Sequence, residues 1–194
     1  MLYELAHYLQ NHFTFVWSMI EGVNSALFSI RFGGKSRKII PLVLADYQDV
    51  YEMELKDVRE LVSFFDKQPN KAFEFFSPHG FDEKTLKKLV RNPSFLMFIV
   101  RSDSGIVGYF FIRSFFMGKS YLGKMVDNQN QGRGIGQKIC CCAMDIASSI
   151  GLRMYETISK DNLASLYSTQ KVLEIEVIKE MGHNYIYIED KKKK

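Results

Sequence analysis

The sequence predicts an α/β (α+β) domain built on a mixed, largely antiparallel central sheet flanked by helices on both faces. Three observations carry that expectation. β-rich runs at 95–101, 106–116 and 121–127 follow one another across short turns, as antiparallel hairpins do. Helical periodicity takes over after residue 137, and strand-like runs return at 152–158, 174–179 and 184–189 around one short helical segment. The chain has 194 residues, 46% hydrophobic and 14% aromatic, enough to bury a substantial core as one domain with an appendage.

The appendage comes first. Leu2, Leu5, Ala6, Leu9, Phe13, Val16, Trp17 and Ile20 recur at helical spacing, so residues 1–36 read as an N-terminal helical, apolar extension. Glu4, His7, Gln10, Asn11, Thr14 and Ser18 interrupt every long apolar run, which argues against a membrane span. A helix lying on a membrane surface usually carries Lys or Arg on its polar face, and none precedes Arg31. The expected docking site is the domain itself or a second copy of the chain, which makes this helix a candidate homodimer surface.

The domain proper is expected over 37–190. Ile39 to Ala45 reads as a strand, and Asp46 to Asp66 as a helix with Val50, Met53, Val58, Leu61, Val62 and Phe65 inward. Asp82 is placed to cap a helix ending near Pro93. Ser102-Asp103-Ser104-Gly105 joins the first two β runs and has hairpin chemistry. The third run leads into three glycines within five positions, Gly132, Gly134 and Gly136. Gln137 to Ile150 then reads as a helix closed by Gly151, Leu152 to Ile158 as a strand, Asn162 to Lys171 as a short helix, and two strands close the domain before a lysine tail at 191–194.

Charge and cysteine usage exclude some functions. The net charge is +4, but four of the basic residues are Lys191 to Lys194, so the rest of the chain balances and a nucleic-acid surface is not expected. Cys140, Cys141 and Cys142 are consecutive in a helical pattern, where neighbours point about 100° apart, so they cannot converge on one metal and no metal site is expected. Without a pairing pattern or a cleavable export signal, they read as small core residues in a reducing cytoplasm.

Three phosphate-binding motifs compete for the glycines. A Walker loop fails, because Gly34-Lys35-Ser36 and Gly118-Lys119-Ser120 have Ser29 and Arg113 where the first glycine belongs. A dinucleotide fold fails, because too little chain follows Gly136. The third fits. A β run ending in Val126, a short loop, and Gln131-Gly132-Arg133-Gly134-Ile135-Gly136 opening a helix resemble the acyl-CoA signature of the GNAT superfamily of N-acetyltransferases. Glycines let backbone N–H groups approach a pyrophosphate, the helix N-terminus adds unpaired donors, and Arg133 adds a charge-assisted bond.

The resemblance covers roughly residues 38–189 and implies a GNAT-like acyltransferase fold with acetyl-CoA as cofactor. It implies that Met125, Val126 and Asp127 lie beside the pantetheine arm and that Gln131, Gly132, Arg133, Gly134, Ile135 and Gly136 hold the phosphates. Asn162 and Ser165 keep the spacing of the family's second cofactor segment. The family's phenolic acid would fall at Thr169, so Tyr167, two positions early, is the candidate general acid only in a shifted register. Glu156 is the candidate base, although one residue off the position of the glutamate in ribosomal-protein acetyltransferases. The acceptor pocket is expected at Phe73 to Phe81, with His79 and Glu74 as polar contacts and a small polar amine such as an amino sugar as acceptor. The implied reaction is transfer of an acetyl or similar acyl group to a primary amine by direct attack. A protein-amine acetyltransferase and a catalytically degenerate acyl-CoA-binding module acting through a partner surface are the alternatives.

Overall fold

The computed structural model describes residues 14–182 and 185–193. Leu2 to Phe13 of the expected N-terminal helix, and Asn184 at the start of the last expected strand, lie outside the described residues. Helix α1 (Thr14–Phe28) runs through a π-helical turn at Ser29–Gly33 into α2 (Gly34–Leu44). The rod therefore passes across residue 36, and the strand expected at 39–45 is the end of a helix. The apolar run Ile39 to Ala45 imitates a buried strand; the helical period shows only upstream, where Phe32, Ser36 and Ile40, four residues apart, are all buried. Ser36 satisfies its buried hydroxyl by donating to the Phe32 carbonyl, and Pro41 is carried inside the helix near its end.

The helix expected over 46–66 divides in three. Val50–Glu52 is strand β1, Leu55–Asp57 a 3₁₀ turn, and only Val58–Asp66 is helix, α3. A reciprocal cap made by Glu54 and Asp57 starts that helix afresh. The apolar residues named for this stretch do point inward, but toward opposite sides of the sheet. Val50 joins one core, and Met53, Val58, Leu61 and Phe65 join the other.

The remaining elements follow the expected order. Helix α4 (Glu83–Val90) is capped by Asp82, whose carboxylate accepts from the Thr85 amide. Strands β2 (Phe95–Ser102), β3 (Gly105–Ser114) and β4 (Lys119–Val126) lead to α5 (Ile135–Ile150), which ends on Gly151 at φ 96°. Then come β5 (Arg153–Ser159), α6 (Leu163–Val172), β6 (Leu173–Met181) and β7 (Tyr185–Lys192), the last running two residues into the lysine tail.

The sheet order is β1-β2-β3-β4-β5-β7-β6, antiparallel at every pairing except β4 with β5. On one face α5 packs with α2 over Phe98, Phe110, Ile112 and Met154; Cys140 and Cys142 are buried there as small core side chains. On the other face α3, α4 and the aromatic segment 73–81 cover Met97, Ile99, Tyr109 and Phe111. Among the described residues no helix is long and apolar enough to cross a membrane, and no group of three or more metal-ligating side chains converges.

Candidate functional site

β4 and β5 pair only at Lys119↔Arg153, Ser120↔Met154 and Tyr121↔Tyr155, then part. Beyond that point β4 stays bonded to β3 as far as Val126, and β5 to β7 as far as Ser159. The result is a fork whose inner edges, Leu122 to Val126 and Glu156 to Ser159, have no ladder partner across the gap. Strand edges of this kind offer backbone donors and acceptors to an extended ligand.

The β4 prong leads directly into the glycine loop. Met125 is buried in the α3/α4 core, Val126 packs against the α5 core, and Asp127 accepts from the Gln129 amide and from the Asn130 side chain. Gly132 and Gly134 take φ values of 76° and 81°, a left-handed conformation that side chains rarely adopt, and a Cβ on either would meet nothing within 4 Å. Gln131 and Arg133 are exposed beside them. No side chain caps Gly134, and Lys138 donates to its carbonyl, so the N–H groups of Ile135, Gly136 and Gln137 are left to the open helix end. The loop is left-handed, sterically open backbone ending on helix donors, which suits a phosphate.

The glycines divide their work. Gly136 faces α6: a Cβ there would lie 3.2 Å from the Ser168 Cβ, so this glycine serves helix packing rather than the open loop. Ile135 anchors the helix by packing over Gly108 of β3.

Gln68, just past the end of α3, holds the loop in place and was not singled out in the sequence. It is buried; its Nε2 donates to Asp127 Oδ1 at 2.9 Å and to the Phe64 carbonyl at 3.1 Å, while its Oε1 accepts from the Asn128 amide at 3.0 Å. Nothing local distinguishes Gln68 from any polar residue after a helix. A cavity of about 420 Å³ lined by Phe64, Gln68, Val107 and Asp127 opens onto the loop from this side.

The expected catalytic side chains are placed differently. Tyr167 is 60% exposed on α6, with Lys171 over its ring, so it does not pack in the core. Thr169, two helical steps and about 200° away, is fully buried and faces the sheet in its place. Asn162 caps α6, its Oδ1 accepting from the Ser165 amide at 3.1 Å; the retained Asn/Ser spacing is that of an N-cap.

Glu156 is 3% exposed and turned to the α5/α6 side of the sheet, the face its one-residue offset implies. There it takes a bond from Lys124 Nζ at 2.5 Å and from Thr169 Oγ1 at 3.2 Å, while Lys124 also donates to Thr169 at 3.0 Å. Burial works against the Lys124 charge, but Cys140 and Glu156 outweigh it and hold the ammonium above its ordinary range. Asp190 completes the group from β7. No donor reaches its buried carboxyl oxygens; burial first, then the Glu156 charge and a bond from the protonated Asp190 to Glu156, push its pKa up to about 9 against the pull of Lys124, so it is neutral at pH 7. Glu156 is thus a buried, ion-paired carboxylate and not a base open to an acceptor.

On the opposite face of the same strands, Tyr121, Tyr155 and Tyr187 form a triangular cluster, with ring centroids 6.0, 5.4 and 6.1 Å apart and the Tyr121 and Tyr187 hydroxyls 3.3 Å apart.

The segment 73–81 packs Phe73, Phe76 and Phe81, each half-buried, against the core under α3 and α4. His79 is held at both nitrogens, Nδ1 by the Gly80 carbonyl and Nε2 by the Tyr109 hydroxyl, each at 2.9 Å. Burial lowers its pKa against the opposing pull of the Gly80 carbonyl, and Phe81, Phe95 and Phe111 surround the ring. With both nitrogens engaged, His79 has none left for an acceptor, and Glu74 is exposed on the outer side of the segment.

No protein-family model matches the sequence, and no curated protein does. Solved structures do match the fold. The GNAT domain of S. lividans PAT is 13% identical with a TM-score of 0.63, over 73% of this chain and 89% of that one. The PaiA N-acetyltransferase from Thermoplasma acidophilum, in complex with coenzyme A, is 12% identical with a TM-score of 0.59, over 74% and 98%. A spermidine N-acetyltransferase from Vibrio cholerae is 14% identical with a TM-score of 0.54, over 73% and 90%. At these identities the likeness is one of fold.

Proposed function

From the GNAT fold of this chain, we propose that it is an acetyl-CoA-dependent N-acetyltransferase acting on the primary amine of a small polar acceptor. The observation that carries the reading is the continuity of the β4/β5 fork with the open left-handed loop at Gly132 and Gly134 and the uncapped end of α5. The coenzyme A complex and the spermidine enzyme among the structures of like fold support the cofactor and the acceptor class.

The residues present fit the cofactor. The N–H groups of Gly132 to Gln137, with Arg133 beside them, would hold the pyrophosphate, and the free edge of Met125, Val126 and Asp127 would pair with the pantetheine arm as a strand pairs with a sheet edge. When bound, acetyl-CoA supplies the activated thioester. The chain supplies position and dipoles: the fork fixes the thioester, and the α5 donors fix the far end of the cofactor.

Proton handling differs from the expectation. Glu156 is engaged by Lys124 and Thr169 at the fork and Tyr167 is exposed on α6, so in this reading the acceptor proton would pass to water, and a thiol of pKa about 8.5 would leave as thiolate without a dedicated acid. Turnover should therefore rise with pH as the amine deprotonates. The helical rod of α1 and α2 belongs to the acyltransferase unit, since Phe28, Phe32 and Ile40 are part of its core, and the buried thiols of Cys140 and Cys142 support a cytoplasmic location.

A second reading, an acyl-CoA-binding module without turnover, is favoured by the engagement of Glu156 with Lys124 and Thr169 and by the outward position of Tyr167. Release of free thiol from acetyl-CoA in the presence of spermidine, amino sugars, amino acids and lysine peptides separates the two. Acceptor-dependent release identifies the enzyme, and release with the peptides alone would move the acceptor class to protein amines. Binding of acetyl-CoA without release identifies the module, and failure to bind removes both.

A further inference from the structure

We propose that the acceptor binds on the tyrosine face of the fork, rather than at the segment 73–81, and that Tyr121, Tyr155 and Tyr187 select an amine carried on a hydroxylated ring, an amino sugar or its phosphate, over a polyamine. The inference rests on the acyl-transfer reading of the fork and names the substrate class of that same site. The side of approach follows from what fills each face. On the α5/α6 side of the gap, Lys124, Glu156 and Thr169 bond to one another and Asp190 is buried beside them. A group held between the edges Leu122 to Val126 and Glu156 to Ser159 is closed off from that side, so an amine reaches it from the other.

That other face is uncovered. Helices α3 and α4 with the segment 73–81 cover β2 and β3 and end at β4, where Met125 joins their core and the Phe111 ring lies so close over Gly123 that a Cβ there would fall 2.3 Å from it. Beyond β4 the cover stops. Thr157, on an inner strand of the seven-stranded sheet, is exposed, and Tyr121, Tyr185 and Tyr187 around it are half-buried. Tyr187 stands opposite Thr157 and Tyr121 opposite Tyr155, so the tyrosines wall the closed end of the fork on the face from which the amine arrives.

Flat rings edged with hydroxyls suit one kind of ligand. The C–H face of a sugar ring packs on a phenol ring, and the bonded Tyr121 and Tyr187 hydroxyls, 3.3 Å apart, offer sugar hydroxyls both donor and acceptor beside the exposed Thr157.

The surrounding charges decide against a polyamine. Lys119 and Arg153, Cα partners across β4 and β5, are both exposed, two residues and so about 7 Å further from the gap than Tyr121 and Tyr155. Lys119 Nζ lies 5.4 Å from the centre of the Tyr155 ring. Like charges directly opposite on neighbouring strands repel; an anionic substituent on the ligand relieves that repulsion and a second ammonium adds to it. The acids nearby are engaged. Glu189 is bonded to the Tyr155 hydroxyl, and Glu176, opposite Glu189 on β6, pairs with Lys191.

The test is calorimetric titration of the full chain, first with coenzyme A and then, in saturating coenzyme A, with glucosamine 6-phosphate, glucosamine and spermidine. Coenzyme A carries no acyl group, so binding is read without turnover. The wild type is expected to bind glucosamine 6-phosphate most tightly, glucosamine next, and spermidine about tenfold or more weaker than the phosphate. Tyr187→Leu should weaken both sugars about tenfold and leave the affinity for coenzyme A unchanged. Lys119→Glu with Arg153→Glu, both at exposed positions, should bring spermidine ahead of glucosamine 6-phosphate, an inversion that a structural role does not produce. This charge reversal decides the matter alone if Tyr187→Leu fails to fold. Coenzyme A that fails to bind removes the fork reading and this inference with it. Normal binding of coenzyme A with spermidine preferred by the wild type, with no amine bound, or with an order that survives the charge reversal, would overturn the acceptor class and leave the fork reading standing.

Discussion

Lys124 on β4 reaches Glu156 on β5 across the place where the two strands have stopped pairing, and the bridge is buried at both ends, with side chains 7% and 4% exposed. Backbone hydrogen bonds close the strands as far as Tyr121 and Tyr155; beyond them the ion pair is what links the prongs on the α5/α6 side. The fork is therefore braced from one face while its edges stay free.

Removing one end of this brace leaves a buried charge. Lys124→Met is expected to cost about 3–5 kcal/mol in urea unfolding, and Lys124→Met with Glu156→Leu to recover most of that, because a buried pair is worth little more than its apolar replacement. Equal losses in the single and double variants would show that Glu156 does not depend on Lys124.

Asp190 makes stability fall with pH. Its carboxyl is neutral in the folded chain up to about pH 9 but ionises near 3.9 when unfolded, so between those values the folded state binds the extra proton and loses stability as pH rises. Melting temperatures taken from pH 6 to pH 9 should decline for the wild type and flatten for Asp190→Asn. A parallel decline in the two proteins would place the titration elsewhere.

Gln68 tests how the loop is held. Gln68→Ala should lose about 1–3 kcal/mol through the stranded Asn128 amide and Asp127 carboxylate, and should weaken acetyl-CoA binding roughly tenfold. Gln68→Glu should be worse than Ala at pH 7, since it sets a carboxylate against Asp127 Oδ1, and should recover toward the Ala level at pH 5. Calorimetric titration with acetyl-CoA and melting at both pH values measure this order.

Gly134 is at φ 81° with open space around it, so substitution strains the backbone without a clash. Gly134→Ala should cost about 1–2 kcal/mol and weaken acetyl-CoA binding, and Gly134→Glu should abolish the thermal shift that acetyl-CoA produces by filling the open loop with negative charge. Gly22→Ala on the solvent side of α1 is the control, expected to stabilise by up to about 1 kcal/mol.

Much of the fold was legible because local physics decides it. The Asp82 cap, the Ser102 to Gly105 turn, the period-two strands and the left-handed stop at Gly151 each act over a few residues, and each stands where the sequence places it. The strand expected at Ile39 to Ala45 failed because a short apolar run is consistent with either period until its upstream partners, Phe32 and Ser36, are known to be buried.

The site was legible to the same depth. The sequence alone determined the glycine loop, since left-handed turns and bare backbone are properties of residue type. Only the tertiary structure decided what surrounds it: that Gln68 ties the loop down from α3, that Thr169 and not Tyr167 faces the sheet, and that Glu156 turns inward to Lys124. The reason is that these are relations between elements far apart in the chain. Side-chain direction changes by about 100° per helical step and 180° per strand step, so one residue of offset, invisible in composition, moves a group from a site to the core or to solvent.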